Sequence, residues 1–161
     1  MTLHIDILPV MLSEDRLYEI IKILRPLTIL LSEAVSTELS NKGISVTQRA
    51  ILELLRDKGS ETVANMARIL KFKRQYIQGL TNSLFENKYI AKTENPNHIR
   101  STLFVLTPAG KKLIDDILAK EMKNLKKVAT LFSKNELQIC SEVLIKLKDV
   151  FSKEKLWRVK I

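Results

Sequence analysis

Residues 62–110 read TVANMARILKFKRQYIQGLTNSLFENKYIAKTENPNHIRSTLFVLTPAG, and this stretch decides the fold. Thr62 is an N-cap candidate that opens a helix over Val63–Leu70. Lys71-Phe72-Lys73 breaks the pattern, and a second helix is predicted over Arg74–Glu86. Its apolar residues Ile77, Leu80 and Leu84 share one face. The opposite face carries Gln75, Gln78, Gly79 and Asn82, with Arg74, Tyr76 and Thr81 on the flanks. An outer face of amides flanked by Arg and Tyr, with little negative charge, suits base edges and phosphates. The plain alternative is a solvated helix face, since amides are common on protein surfaces.

The residues C-terminal to this helix favour base edges and phosphates. Tyr89–Thr93 and Ser101–Leu106 are rich in strand formers, and Glu94–Arg100 between them is a turn-rich loop. Thr107 and Pro108 then provide an N-cap and a first-turn proline for another helix. Helix, helix, basic-tipped hairpin and helix is the order of a winged helix-turn-helix. The run Gln75–Ile90, then Asn95–Arg100, then Leu106-Thr107-Pro108-Ala109-Gly110, resembles the MarR family of bacterial transcription regulators over about residues 14–152. That family's wing reads Asp-x-Arg, a hydrophobic strand, then Leu-Thr-x-x-Gly. Arg100, the strand and Leu106-Thr107-x-x-Gly110 match; His98 stands at the Asp position. Two further departures are Lys73, where a Ser-like cap usually opens the recognition helix, and Lys88, where a Gly usually precedes the wing. Asn87 is expected to take the left-handed conformation in its place.

The chain outward from this core is helical. At 161 residues and 45% hydrophobic it can build one domain with appended helices. Four Gly and four Pro argue for long helices and few loops. On the N-terminal side, Ser13 is a cap candidate for a helix to about Ser40, striped by Leu17, Ile20, Ile21, Leu24, Leu27, Leu31, Val35 and Leu39. Pro26 predicts a bend within it. Gly43 suits a left-handed cap, and Ser45-x-x-Gln48 is a capping box for a helix over about 47–57. The resemblance implies a short strand near residues 60–62. On the C-terminal side, a helix from Pro108 to about Phe132 is followed by the capping box Ser133-x-x-Glu136 and a helix to about Ser152.

Charge is uneven along the chain. Residues 1–70 carry eight basic and nine acidic groups, residues 71–100 six and two, and residues 101–161 thirteen and seven. A basic 71–100 segment favours a polyanionic partner. No apolar run reaches about 20 residues, so no membrane span is expected. The start lacks the basic region of a secretory signal, and one cysteine fits a reducing cytoplasm. Two histidines and Cys140 give no zinc-ligand spacing, and phosphate-cradling loops, nucleophile elbows and clustered acid pairs are missing. Neither metal, cofactor nor enzymatic activity is therefore expected. Cys140 lies on an apolar helix stripe and reads as a packed small hydrophobe.

The sequence thus describes a mainly α protein with a small β wing. Residues 44–107 form the winged helix-turn-helix domain, and residues 1–40 and 108–161 form a helical dimerisation region, because their stripes exceed what a small domain can cover. The expected function is a dimeric, sequence-specific, DNA-binding transcription regulator of the cytoplasm, acting as a ligand-responsive repressor. The resemblance implies a small apolar or phenolic effector. Gln75, Gln78 and Asn82 are expected on base edges, Lys73, Arg74, Tyr76 and Thr81 on phosphates, and Arg100 in a minor groove. The site should be a pseudo-palindromic duplex with half-sites about 10 bp apart. The alternative is a winged-helix protein-interaction or small-molecule-binding module that does not bind DNA.

Overall fold

The computed structural model describes residues 13–96 and 101–153. The elements run α1 (Ser13–Ser40), α2 (Val46–Lys58), β1 (Ser60–Glu61), α3 (Val63–Leu70), α4 (Arg74–Glu86), β2 (Ile90–Thr93), β3 (Leu103–Leu106), α5 (Pro108–Ala129) and α6 (Lys134–Lys153). Several helix ends lie where the capping chemistry places them. Ser45 accepts from the Gln48 N–H at 3.1 Å while the Gln48 side chain accepts from the Ser45 N–H at 2.8 Å, closing a reciprocal box. Gly43 and Gly59 both hold positive φ, the conformation that ends a helix without a Cβ clash. Ser133 and Glu136 repeat the box at the start of α6. There the hydrogen bonds from Ser133 hold the Glu136 carboxyl below its ordinary range. Helix α1 carries through Pro26 without a break in its assignment.

Three short antiparallel strands make the wing sheet, in the order β1-β3-β2. Ser60 pairs with Val105 and Ile90 with Leu106. The observed strands are shorter than the runs in the sequence, starting at Ile90 and Leu103. Tyr89 is instead used to join α4, β2 and α5.

The described residues group into two compact units that divide between Lys111 and Lys112, with α1 in the first. The first unit contains a compact core. Ile51, Leu52 and Leu55 of α2, Met66 of α3, Ile77 and Leu84 of α4, and Ile90 and Phe104 of the sheet are all almost fully buried. Each such side chain contributes about 1.5–3 kcal/mol relative to exposure. The polar Gln48 is buried too, and its Nε2 donates to Ser83 Oγ at 3.2 Å, tying α2 to one flank of α4.

The long helices behave differently. Of the α1 stripe only Leu39 is buried; Leu17, Ile20, Leu27 and Leu31 stay exposed, as do Ile23 and Leu30 outside it. On α6, Leu137, Ile139, Leu144 and Val150 are exposed as well. Cys140 shares that condition. It is not packed within the chain, contrary to the expectation from its apolar neighbours, because nothing in the second unit covers that face of α6.

The junction of α4, β2 and α5 is the tightest point of the first unit. The Tyr89 N–H donates to the Leu84 carbonyl at 3.0 Å, and the Tyr89 carbonyl accepts from the Thr107 N–H at 3.0 Å. The Thr107 hydroxyl donates to the Lys88 carbonyl at 2.7 Å and accepts from the Gly110 N–H at 3.0 Å, capping α5. Lys88 itself takes the left-handed conformation, φ 59°, while Asn87 remains at φ −76°. The expectation that Asn87 would make the turn is thus corrected; the lysine occupies the glycine position directly, at a cost of about 1–2 kcal/mol. A Cβ on Gly110 would lie 1.9 Å from the Tyr89 carbonyl oxygen. Both partners are held by hydrogen bonds, so neither can move aside. Gly110→Ala is therefore expected to lower the unfolding free energy by about 3 kcal/mol in a urea titration.

Candidate nucleic-acid interface

Helix α3 is capped by Thr62, whose hydroxyl accepts from the Asn65 N–H at 3.2 Å. It ends at Lys71, which adopts φ 61° so that its N–H and that of Phe72 both return to the Ala67 carbonyl. This left-handed residue turns the chain sharply into α4. Lys73 precedes α4 in extended conformation and supplies no side-chain cap. Lys73 thus offers no side-chain oxygen to the first-turn N–H groups of α4, and the positive end of the helix lies beside the exposed Lys73 and Arg74.

Burial around α4 sorts the expected contact residues. Gln75, Tyr76, Gly79 and Asn82 are exposed, and so are Lys73 and Arg74. Gln78 is half-buried, on the flank nearer the wing, and its Nε2 donates to Asn82 Oδ1 at 2.9 Å. The two amides are therefore one unit, with Gln78 Oε1 and Asn82 Nδ2 left for outside partners. Thr81 is the exception. It is 0% exposed, and its hydroxyl donates to the Ile77 carbonyl at 2.7 Å. Its assignment to a phosphate is corrected on both grounds: it faces the core, and its one donor is used inside the helix. Arg100 and His98 lie outside the described residues.

Two contributors were not singled out from sequence. Lys92 on β2 holds its ammonium 4.7 Å from the Phe85 ring centroid, which fixes a cation beside the recognition helix. It shares a cleft of about 210 Å³ with Thr62, Arg74, Gln78 and Thr102, so the wing and α4 present one continuous basic and amide-bearing surface. Phe72 lies in the turn and packs its ring against Tyr76, centroids 5.4 Å apart, with both rings about half exposed. The signals available were a lysine in a wing strand and an aromatic residue in an otherwise polar turn. Neither states a direction until the strand register and the helix phase are known.

A three-stranded wing beside a helix-turn-helix whose second helix is amide-faced and basic at its start defines the winged helix-turn-helix class. Its candidate surface is the exposed side of α4 together with β2. No family model matches the chain. A solved structure, the MarR family transcription regulator SP03579, is 34% identical, covers 86% of this chain and 92% of its own, and has a TM-score of 0.78. By that relationship the chain belongs to the MarR family of transcription regulators. A mutant MarR from E. coli complexed with operator DNA shares the fold at a TM-score of 0.70 and 15% identity, covering 85% of this chain and 99% of its own. Among curated proteins, the HTH-type transcriptional regulator MhqR of Bacillus subtilis is 21% identical over 114 residues, 71% of this chain and 79% of its own length. Among the described residues no helix is long and apolar enough to cross a membrane.

Thr81 itself offers a direct check of its reassignment. Thr81→Val keeps the buried shape and leaves the Ile77 carbonyl its helical partner. It is expected to change stability by less than about 1 kcal/mol and DNA affinity by less than about twofold at any salt concentration. A loss of affinity that grows as salt is lowered would return Thr81 to the phosphate set.

Proposed function

We propose that this regulator acts as a homodimer that sets two copies of α4 into successive major grooves of a pseudo-palindromic duplex. The observation that carries the proposal is the nature of the α4 surface. Its exposed amides Gln75 and Asn82, the coupled Gln78, and the cations at its start and on the adjoining strand form a face suited to base edges flanked by phosphates. Gln75, Gln78 and Asn82 read base edges, with adenine the best match for an amide. Lys73, Arg74, Tyr76 and Lys92 hold phosphates, and Arg100 reaches an adjacent minor groove. That the mutant MarR of E. coli with the same fold is complexed with operator DNA supports the DNA-binding part of this reading.

Dimerisation is supported by the apolar surface left on the terminal helices. Ile23 on α1 is 62% exposed and Leu131, just beyond α5, is 76% exposed. Apolar side chains in such number on helices at both ends of the chain suit an isologous interface between two copies. Light scattering at micromolar concentration is expected to give twice the 18.5 kDa chain mass. A helical monomer at that concentration would contradict the dimer.

The regulatory role proposed is repression relieved by a small apolar or phenolic effector. Such a molecule acts only through a difference in affinity between the DNA-competent and released states. An open groove of about 450 Å³ lined by Thr28, Ile29, Ser32, Glu33, Ser36 and Val46 is a candidate place for such a molecule. Neither metal nor cofactor enters this mechanism.

Wing and recognition helix should fail differently when altered. Gln78→Ala is expected to cost about 1–3 kcal/mol on a preferred site and to relax preference at one base-pair position, with the salt dependence kept. Arg100→Ala is expected to weaken binding to most sequences alike and to reduce the salt slope by about one unit. Titrating both variants against a site library at two salt concentrations separates them; the reverse pattern would contradict the docking.

A further inference from the structure

Glycine inside a helix is destabilising relative to alanine, and it is usually retained where a neighbour needs the space or the backbone needs a positive φ. Gly110 is of the first kind, pressed on the Tyr89 carbonyl. Gly79 is of neither kind. It lies in the middle of α4, it is not among the positive-φ glycines, and a Cβ built on it meets nothing within 4 Å. Nothing within the fold gains from the missing methyl group.

The place of Gly79 on the helix gives it another use. At 100° per residue it falls between Gln75 and Asn82 on one side and Ser83 on the other, near the middle of the exposed face. Gln75 and Asn82 are both exposed there. Asn82 is the short amide of the set, one methylene shorter than Gln. Its Oδ1 already accepts from Gln78 Nε2 at 2.9 Å, so its free group is the Nδ2 donor. A side chain that short reaches a base edge more readily the deeper the helix axis lies in the groove. A methyl group at position 79 would point at the groove floor at the same level and hold the helix away.

We propose that Gly79 is a specificity-determining residue of this chain: its bare backbone lets α4 seat deeply enough for Asn82 to reach a base edge, and leaves the space in which a thymine C5 methyl lies against the helix. This rests on the DNA-reading function proposed above. The expected signature is that stability and affinity move in opposite directions. A residue serving only the fold would lose both together.

The test is Gly79→Ala, followed by thermal unfolding and by anisotropy titration of labelled duplexes. The duplexes are a site selected by the wild-type protein from a randomised library, the same site with single thymines replaced by deoxyuridine, and an unrelated duplex. The variant is expected to melt a few degrees higher. It should bind the selected site at least about tenfold more weakly while its non-specific binding changes by less than about twofold. Deoxyuridine at the thymine facing position 79 removes the methyl group that collides with the new Cβ, and should recover part of the loss. Binding of the selected site within about twofold of wild type would overturn the proposal and leave the DNA-reading function intact. A weaker variant that also melts lower would overturn it as well, by making Gly79 a structural residue. A loss that deoxyuridine relieves at no position would overturn the thymine contact. If the wild-type protein selects no site at all, the DNA-reading function fails and this inference fails with it.

Discussion

The carbonyl of Tyr89 is the point on which the reading surface depends. It accepts from Thr107, lies against the bare backbone of Gly110, and belongs to a residue whose N–H closes the end of α4. Through it the last turn of the recognition helix, the first wing strand and the first turn of α5 are fixed to one another by short backbone bonds. The left-handed Lys88 is the strained residue that allows this approach, and the Thr107 hydroxyl on its carbonyl holds it in that conformation. Backbone bonds of this kind vary little with side-chain replacement, so the angle between α4 and the wing is set independently of the residues that face outward. The outward residues are then free to be chosen for a ligand. Gln48 performs a matching task at one flank of the helix through Ser83.

The surface so positioned has two chemical parts. Its centre is nearly neutral, with exposed amides around a glycine, and its edges are cationic through Lys73, Arg74 and Lys92. That division suits a duplex, where the groove floor presents donors and acceptors and the rims present phosphates. The apolar residues left exposed on α1 and α6 answer a different demand. They are large and helical, and in the homodimer proposed above a second copy of the chain would cover them.

Local rules made most of the fold legible. Thr62, Ser45 with Gln48, Ser133 with Glu136, Gly43 and Pro108 each mark a helix end through a bond or dihedral confined to a few residues, and these positions hold in the structure. The strand bounds were less legible because Tyr89, a good strand former, is taken by the junction. Helical phase alone puts Thr81 on a flank, but its hydroxyl satisfies itself on the Ile77 carbonyl and the residue is buried. Asn87 was the reasonable choice for a left-handed turn by intrinsic preference, but the register of the Tyr89 bonds requires the turn one residue later, at Lys88. The neighbours of Cys140 point to a core, yet an apolar stripe says only that a face wants cover and does not say which chain supplies it, and Cys140 is exposed. Lys92 and Phe72 could not be assigned from composition, since their use depends on where the sheet and the turn direct them.

Two copies of α4 reading one duplex together would leave a symmetric mark on the DNA backbone. Hydroxyl-radical footprinting of the wild-type protein on a library-selected duplex measures that mark most directly. The expected result is two protected patches related by two-fold symmetry, with centres about one helical turn apart, over half-sites rich in A·T pairs. A single asymmetric patch, or uniform weak protection along the duplex, would contradict the paired reading.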